Sequence, residues 1–204
     1  MSPLWAVALP LLGGCAVLAA PRRLAAALSC AVGALTWVLG LLVAVPSLGA
    51  ARAEAVTYAT LPTGAAPITL TLSVDGLAAL MVLLATSVAL AVLVYSVSYL
   101  RDDPRYPTYA FLVLLFTAAM TAVVLADDWF VLLVGWEVMG ACSYFLIGHH
   151  WERSEARAGA VKAFVMTVLG DVGLLFGIFA FGTAVGSFRI SAANAAADSG
   201  DLGA

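Results

Sequence analysis

Long apolar stretches separated by short polar breaks dominate the sequence. A helix that crosses a bilayer needs about 17–25 mostly apolar residues. Six stretches reach that length, at 4–20, 24–47, 75–99, 108–126, 129–148 and 160–185. The breaks hold prolines and charges, as in "RDDPRYP" at 101–107 and "HHWERSEARAG" at 149–159. The pattern therefore predicts about six transmembrane helices.

Two regions depart from this pattern. Residues 49–73 contain Pro62, Gly64 and Pro67, and the segment "ITLTLSV" that follows alternates with a period of two and is rich in β-branched residues. Such a segment predicts a short strand or hairpin between the second and third helices. Residues 186–204 are small, polar and rich in Gly, Ala and Asp. They are predicted to form a polar tail with neither a membrane span nor a compact fold.

Composition places the chain in the membrane class. Of its 204 residues, 64% are hydrophobic and 10% are charged, and the mean hydropathy is +1.07. Soluble domains have about 25% charged residues. The net charge of −3 is small and dispersed, which argues against nucleic acid as a partner.

The three cysteines show neither a disulfide framework nor iron–sulfur spacing. The expected fold is an all-α polytopic membrane protein with a short β-like loop, divided into regions 1–73, 74–185 and 186–204.

Arginines predict the orientation, because cytoplasmic loops carry an excess of positive residues. The first, third and fifth loops each contain two arginines. These are Arg22 and Arg23, Arg101 and Arg105, and Arg153 and Arg157. The remaining loops and the tail contain only Arg52 and Arg189. The odd loops are therefore expected in the cytoplasm, and the N-terminus and the strand-like loop outside it.

Two acids lie deep within apolar runs. Counted from Gly148 and from Ala160, Glu137 and Asp171 are each 11 residues from the cytoplasmic rim. That is about 16 Å at 1.5 Å per residue, near the middle of a core about 30 Å thick. Each acid costs about 2.5–3.5 kcal/mol to insert, and such residues usually mark ion or proton paths. The alternative is a pair of neutral acids hydrogen-bonded between helices. Asp75 is instead expected to cap the third helix.

The neighbours of the acids predict an inward-facing surface. Helical spacing puts Gly140, Ala141 and Tyr144 on the same side as Glu137. Small residues allow a neighbouring backbone to approach, and Tyr144 offers a hydroxyl group. Thr167 lies one turn before Asp171 and is expected to donate a hydrogen bond toward it. Tyr144 and Thr167 are therefore possible members of a proton path.

Three further titratable residues lie near the cytoplasmic rim. Lys162 either extends its ammonium group to the headgroups or ends a line of charges with Asp171. His149 and His150 titrate in the physiological range and are expected at the interface, as further possible members of the proton path. The sequence contains no phosphate-binding loop, nucleophile triad, metal-binding spacing or nucleotide fingerprint, so no catalytic, cofactor-binding or metal-binding residue is assigned.

Three segments together resemble a known family. They are "SVDGLAALMVLLATSVALAVLVYSVSYL" at 73–100, "GWEVMGACSYFLIGHHW" at 135–151 and "KAFVMTVLGDVG" at 162–173. They are similar to the antiporter-like large subunit of proton-pumping NADH–quinone oxidoreductase (respiratory complex I), subunit L in bacteria and subunit 5 in mitochondria. The resemblance covers about residues 70–182. Glu137 falls on the "GWE" acid of the family and Asp171 on its "GD" acid.

The resemblance implies a function and a setting. Glu137 would be the titrating end of a Glu–Lys pair in a proton half-channel, with its lysine on the next, broken helix; Lys162 matches another lysine of the motif. Residues 74–185 would be an incomplete first repeat of the N-terminal portion of such a subunit. The resemblance implies no redox centre in this chain, because NADH, FMN, iron–sulfur clusters and quinone would belong to partner subunits. The chain itself would be a multi-pass protein of the plasma membrane and a subunit of a translocase complex.

The sequence departs from the family at three points. Many members have a basic residue where this chain has Val168, and many have a histidine where it has Leu93. Family chains are also several times longer, so this chain is expected to be a fragment or one piece of a split subunit. Two alternatives stay open. One is a subunit of a cation/proton antiporter, membrane hydrogenase or bicarbonate-uptake assembly, and the other is a membrane scaffold that does not pump.

Overall fold

The computed structural model describes residues 2–48, 54–62 and 67–199. Within these ranges the chain forms seven helices and two strands. They are α1 Leu4–Ala19, α2 Arg22–Ser47, β1 Glu54–Leu61, β2 Ile68–Val74, α3 Gly76–Tyr99, α4 Tyr106–Leu125, α5 Trp129–Ile147, α6 Ser154–Val185 and α7 Ile190–Ser199.

The predicted fold class, an all-α membrane protein with a small β element, is confirmed. Within the described residues, α2 to α6 are long and apolar enough to cross a membrane. The first predicted span, α1, is a shorter apolar helix of 16 residues. Its length is about 24 Å, less than the full thickness of a hydrocarbon core.

The predicted strand region forms an antiparallel hairpin. Its register runs from Glu54 opposite Val74 to Leu61 opposite Ile68, with an irregularity between Thr57 and Ala59. β2 is the inner strand, and Thr71 accepts a backbone hydrogen bond of 2.9 Å from the N–H of Asp127. The hairpin therefore attaches to the polar turn between α4 and α5. Gly64 and Arg52 lie outside the described residues.

The fifth loop is shorter than expected, because α6 begins at Ser154 rather than near 160. Residues 154–160 contain no Pro, and Glu155 lies in the first turn, where a helix dipole favours an acid. The helix therefore begins six residues before the predicted apolar boundary.

The expectation of a tail without compact structure is wrong for residues 190–199, which form α7. Alanine is the strongest helix former, and five of the ten residues of α7 are alanine. Arg189 and Ser191 attach the start of α7 to Asp127. Residues 200–204 lie outside the described part of the chain.

Helices α1 to α4 form the packed core, in two apolar clusters. One includes Leu72 of the hairpin together with Val82 and Leu125, and the other lies beside the arginine-bearing loops and includes Val17 and Leu114. Leu93, where many family members have a histidine, is completely buried in the second cluster. That position is therefore apolar core in this chain.

A polar contact crosses the second cluster. The hydroxyl of Tyr106 lies 2.9 Å from the hydroxyl of Ser29 and accepts a hydrogen bond of 3.4 Å from Ser96. It connects the beginning of α4 to α2 and α3. Because buried polar groups cost free energy unless they are paired, this contact fixes the relative height of the three helices.

Helices α5 and α6 lie at the side of this core. α5 packs closely against α4 at Gly135, where an added Cβ would lie 2.7 Å from Val123 Cγ2 and 3.1 Å from the carbonyl oxygen of Ala119. α6 packs mainly on α5 and α7. Most of its apolar surface is exposed, including Met166, Leu169 and Phe176. Lipid or further protein is therefore needed to cover this surface.

Candidate functional site

The two mid-helix acids lie at the same level of the antiparallel α5–α6 pair. A Cβ added at Gly148 would lie 3.6 Å from the Cβ of Ala160. Eleven residues further along each helix come Glu137 and Asp171, and the indole Nε1 of Trp136 donates a hydrogen bond of 2.8 Å to Oδ1 of Asp171. Two separate contacts thus give the same register, and the predicted match in depth agrees with it.

The hydrogen-bond partner of Asp171 is Trp136, and the partner expected from the sequence was wrong. The hydroxyl of Thr167 donates to carbonyl oxygens of its own helix, at 2.8 Å to Phe164 and 3.3 Å to Ala163. Trp136 is 44% exposed in this chain, but an indole N–H within an apolar span has no water to bond and needs an acceptor, so the tryptophan of "GWE" was a usable signal. Its acceptor lies 35 positions away, which the local pattern does not reveal.

Glu137 does not face the interior of the described bundle, contrary to expectation. Its side chain is exposed. The buried positions of α5 are Gly135 and Cys142, seven residues apart and therefore on nearly the same face. Glu137 is two residues from Gly135, about 200° around the helix. Gly140 lies beside open space, with no described atom within 4 Å of an added Cβ.

Lys162 lies away from the acids, whereas Tyr144 packs between α5 and α6. Lys162 is exposed on α6. It is nine residues from Asp171, which is about 13.5 Å along the axis and half a turn around it. The two charges thus lie on opposite sides of α6 and do not form a line on one face. The ring of Tyr144 packs against Phe164 of α6, with centroids 5.4 Å apart.

The two histidines lie past the end of α5, in contact with the α3–α4 loop. Nε2 of His149 is 2.9 Å from Oδ2 of Asp103, and Nδ1 of His150 is 3.3 Å from Nη2 of Arg105. Burial alone would raise the pKa of Asp103. The backbone N–H of Arg105 and the His149 side chain outweigh it, so the pKa of Asp103 lies below its usual value. The carboxylate is therefore ionised at neutral pH.

The structure also shows a polar centre at residues 127 and 128, which the hydrophobic pattern left as the break between the fourth and fifth predicted spans. Asp127 accepts hydrogen bonds from Nη2 of Arg189 at 2.8 Å and from the N–H and hydroxyl of Ser191, both at 2.9 Å. Asp128 accepts from the N–H and hydroxyl of Thr69, at 2.9 and 3.0 Å, and from the N–H of Phe130 at 2.9 Å. These two buried acids join the hairpin, α5 and α7.

A capping role was predictable for Asp128, because an acid directly before a helix is a preferred N-cap. The same reasoning predicted the cap at Asp75, which accepts a hydrogen bond of 2.6 Å from the N–H of Ala78. The pairing of Asp127 with Arg189 joins positions 62 residues apart, and the sequence offered no local signal for it.

Together, these features define a polytopic membrane protein with acids inside its spans. Two family models match the chain. Residues 61–110 match the model described as NADH-ubiquinone oxidoreductase (complex I), chain 5 N-terminus, and residues 126–201 match NADH:quinone oxidoreductase/Mrp antiporter, TM. The chain belongs to the antiporter-like membrane subunits of this family, as a part of such a subunit.

Similar proteins from other organisms agree with these models. NADH-quinone oxidoreductase subunit L of Mycobacterium tuberculosis is 35% identical over 180 residues, which cover 85% of this chain and 28% of the relative. NAD(P)H-quinone oxidoreductase subunit 5 of Paulinella chromatophora is 35% identical over 167 residues, 82% of this chain and 25% of the relative. The chain thus spans about a quarter of the length of these relatives.

Solved structures share the fold. A chain of the Mrp complex from Dietzia sp. superposes with a TM-score of 0.80 at 26% identity, covering 94% of this chain and 20% of that one. A chain of an archaeal membrane-bound sulfane sulfur reductase superposes with a TM-score of 0.84 at 20% identity, covering 97% of this chain and 40% of that one. The second similarity concerns the fold alone.

Proposed function

We propose that the chain contributes part of a proton-translocating half-channel to an NADH–quinone oxidoreductase complex, with Glu137 and Asp171 as proton-binding groups. One observation carries the proposal, namely that two acids occupy the same level midway along adjacent apolar helices. Acids at that depth are expensive unless they have partners or a function. Asp171 has Trp136 as its partner, whereas Glu137 is exposed beside open space.

The chemistry needs only proton binding and release. An acid in a medium of low polarity favours its neutral form, and a cation brought near it favours the carboxylate. Alternation between these states at Glu137 moves a proton. The sequence has one lysine, Lys162, which lies about 13.5 Å along α6 from the level of the two acids. A cation close to Glu137 would therefore come from a neighbouring segment or subunit.

The remaining candidates are assigned to the route between the acids and the loop end. Tyr144 and Thr167 lie on the α5 and α6 segments that lead from the acids to this end. His149 and His150 lie at the end itself. Lys162 is a cation near the same end. These assignments rest on position along the helices.

The setting follows from the relatives' names. They are subunits of NAD(P)H-quinone oxidoreductases, so NADH, flavin, iron–sulfur and quinone chemistry is assigned to partner subunits. We place the chain in the plasma membrane with the arginine-bearing loops in the cytoplasm and the N-terminus outside. Contacts between the third and fifth loops, such as Arg105 with Glu152 at 2.8 Å, support a common side for these two loops.

The test is Glu137→Gln in the assembled complex. Proton pumping in vesicles is expected to fall much more than the amount of assembled complex, because the amide keeps the shape and loses the proton site. The matched control is Glu155→Gln, an exposed acid at the start of α6. Normal pumping by Glu137→Gln would exclude the proposed role of Glu137.

A second candidate is a subunit of a cation/proton antiporter. The family model over residues 126–201 includes Mrp antiporters, and the Dietzia Mrp complex shares the fold. Sodium-dependent proton exchange in vesicles without NADH would favour it. A scaffold without transport predicts that Glu137→Gln and Asp171→Asn reduce assembly while transport per assembled complex stays unchanged.

A further inference from the structure

Both histidines of the chain and one carboxylate converge at the loop end of the bundle. The chain contains two histidines, His149 and His150, which follow the end of α5. One donor atom from each of them and one from Asp103 all lie within 4.8 Å of one another. We propose that Asp103, His149 and His150 form a binding site for a divalent transition-metal ion of the Zn²⁺ type.

The donor set fits this chemistry. Imidazole nitrogens and a carboxylate oxygen are ligands that Zn²⁺ prefers, and three protein ligands leave a fourth position open. Zn²⁺ bonds of about 2.0–2.2 Å place tetrahedral ligand atoms about 3.4 Å apart. The three donor atoms lie within 4.8 Å of one another. Small side-chain rotations would bring them to the separation of about 3.4 Å that tetrahedral Zn²⁺ requires. Glu152, two residues after His150, or water completes the coordination.

Two of the three ligands are already held in place. The side chains of Asp103 and His149 are only 9% and 10% exposed. The N–H of Arg105 donates a hydrogen bond of 2.8 Å to Oδ1 of Asp103, which leaves Oδ2 directed at His149. The ring of Tyr109 packs edge-on against His149 with centroids 5.6 Å apart. Contacts of this kind orient the ligands of metal sites.

Arg105 opposes the binding of a metal ion. Its guanidinium lies 3.3 Å from Nδ1 of His150 and 2.8 Å from Oε1 of Glu152. An arriving cation must displace this charge, and the arginine side chain is one-third exposed, so it can move into solvent. Arg105 therefore lowers the affinity of the site, and its removal should raise it.

An ion at this position ties the α3–α4 loop to the end of α5, the helix that carries Glu137. The site does not depend on the proposed proton translocation. It uses groups outside the membrane spans, and binding can be measured without any transport.

The test measures Zn²⁺ binding to the complex containing this subunit, purified through a tag without histidine. Competition with a fluorescent zinc chelator gives the affinity. The double variant His149→Gln/His150→Gln is expected to lose one Zn²⁺ per chain, and Asp103→Asn to bind at least about tenfold more weakly. Asp102→Asn is the matched control, since Asp102 is an exposed acid of the same loop and should leave the affinity unchanged.

Two single variants guard against an effect of misfolding. His150→Gln keeps the pair between His149 and Asp103 and should still weaken binding at least about tenfold. Arg105→Gln should tighten it. Equal Zn²⁺ binding by the wild type and the double histidine variant would overturn the proposal, as would weaker binding after Arg105→Gln in a variant that remains folded.

Discussion

The indole N–H of Trp136 donates a hydrogen bond of 2.8 Å to the carboxyl of Asp171. This contact joins the middle of α5 to the middle of α6, one residue before Glu137. Because Glu137 is the next residue along α5, the contact fixes the level of Glu137 relative to Asp171.

Removal of that donor is expected to change the environment of Asp171. Trp136→Phe keeps an aromatic ring and loses the N–H, at a net cost of about 1 kcal/mol for one hydrogen bond. Infrared difference spectra should show a shifted Asp171 signal, assigned by its disappearance in Asp171→Asn. Trp151→Phe, at an exposed loop tryptophan, is the control. An unshifted signal in Trp136→Phe would contradict the contact.

Asp128→Ala should destabilise the fold more than Asp75→Ala, although both acids cap helices. Loss of an N-cap costs about 0.5–2 kcal/mol, and Asp128 is also the buried acceptor for Thr69, whose unpaired groups add about 1–3 kcal/mol. Asp75 is exposed, and its side chain accepts a hydrogen bond from the N–H of Ala78. Thermal unfolding in detergent compares the two variants. Equal shifts in melting temperature would show that the Thr69 contacts contribute little.

Arg189→Gln should loosen the attachment of α7. Asp127 keeps its bonds to Ser191 but loses the guanidinium, which leaves a buried carboxylate poorly compensated. Hydrogen exchange followed by mass spectrometry is expected to show faster exchange across residues 190–199, with little change in α3. Arg157→Gln, an exposed arginine of α6, provides the control. Unchanged exchange in α7 would mean that its packing alone holds it.

Two glycines of α5 should respond oppositely to alanine. At Gly135 the new methyl group would meet Val123 and the backbone of Ala119, and overpacking of this kind costs about 1–3 kcal/mol. At Gly140 no described atom is near, so Gly140→Ala gains up to about 1 kcal/mol of helix propensity. Unfolding of the separated subunit measures both. Destabilisation by Gly140→Ala would contradict the open space beside that residue.

Sequence reasoning succeeded where a single physical quantity decides the outcome. Hydrophobic length located the five long helices α2 to α6, although it also counted the shorter α1 as a span. A constant rise per residue placed Glu137 and Asp171 at one level of the α5–α6 pair. It failed for the direction in which Glu137 points, because α5 is apolar around most of its circumference and shows no stripe to mark its packed face. The packed face is set by Gly135 against α4, a contact that depends on a second helix.

The sequence did not predict the long-range polar pairs either. Asp127 and Arg189, like Asp103 and His149, are far apart in the chain, and each residue alone is typical of a loop. The tail was predicted to lack structure because its composition is small and polar. The acceptor that anchors its first residues belongs to another part of the chain.

The acids at 127 and 128 have a mechanical consequence for α5. One end of this helix is fastened by buried hydrogen bonds to the hairpin and to α7, while Gly140 near its middle touches nothing on one side. The other end is held as well, where Nε2 of His149 lies 2.9 Å from Oδ2 of Asp103. A rod held at both ends yields most at its middle, so any lateral displacement of α5 would be largest near Gly140 and would carry Glu137 toward the side that faces away from α4.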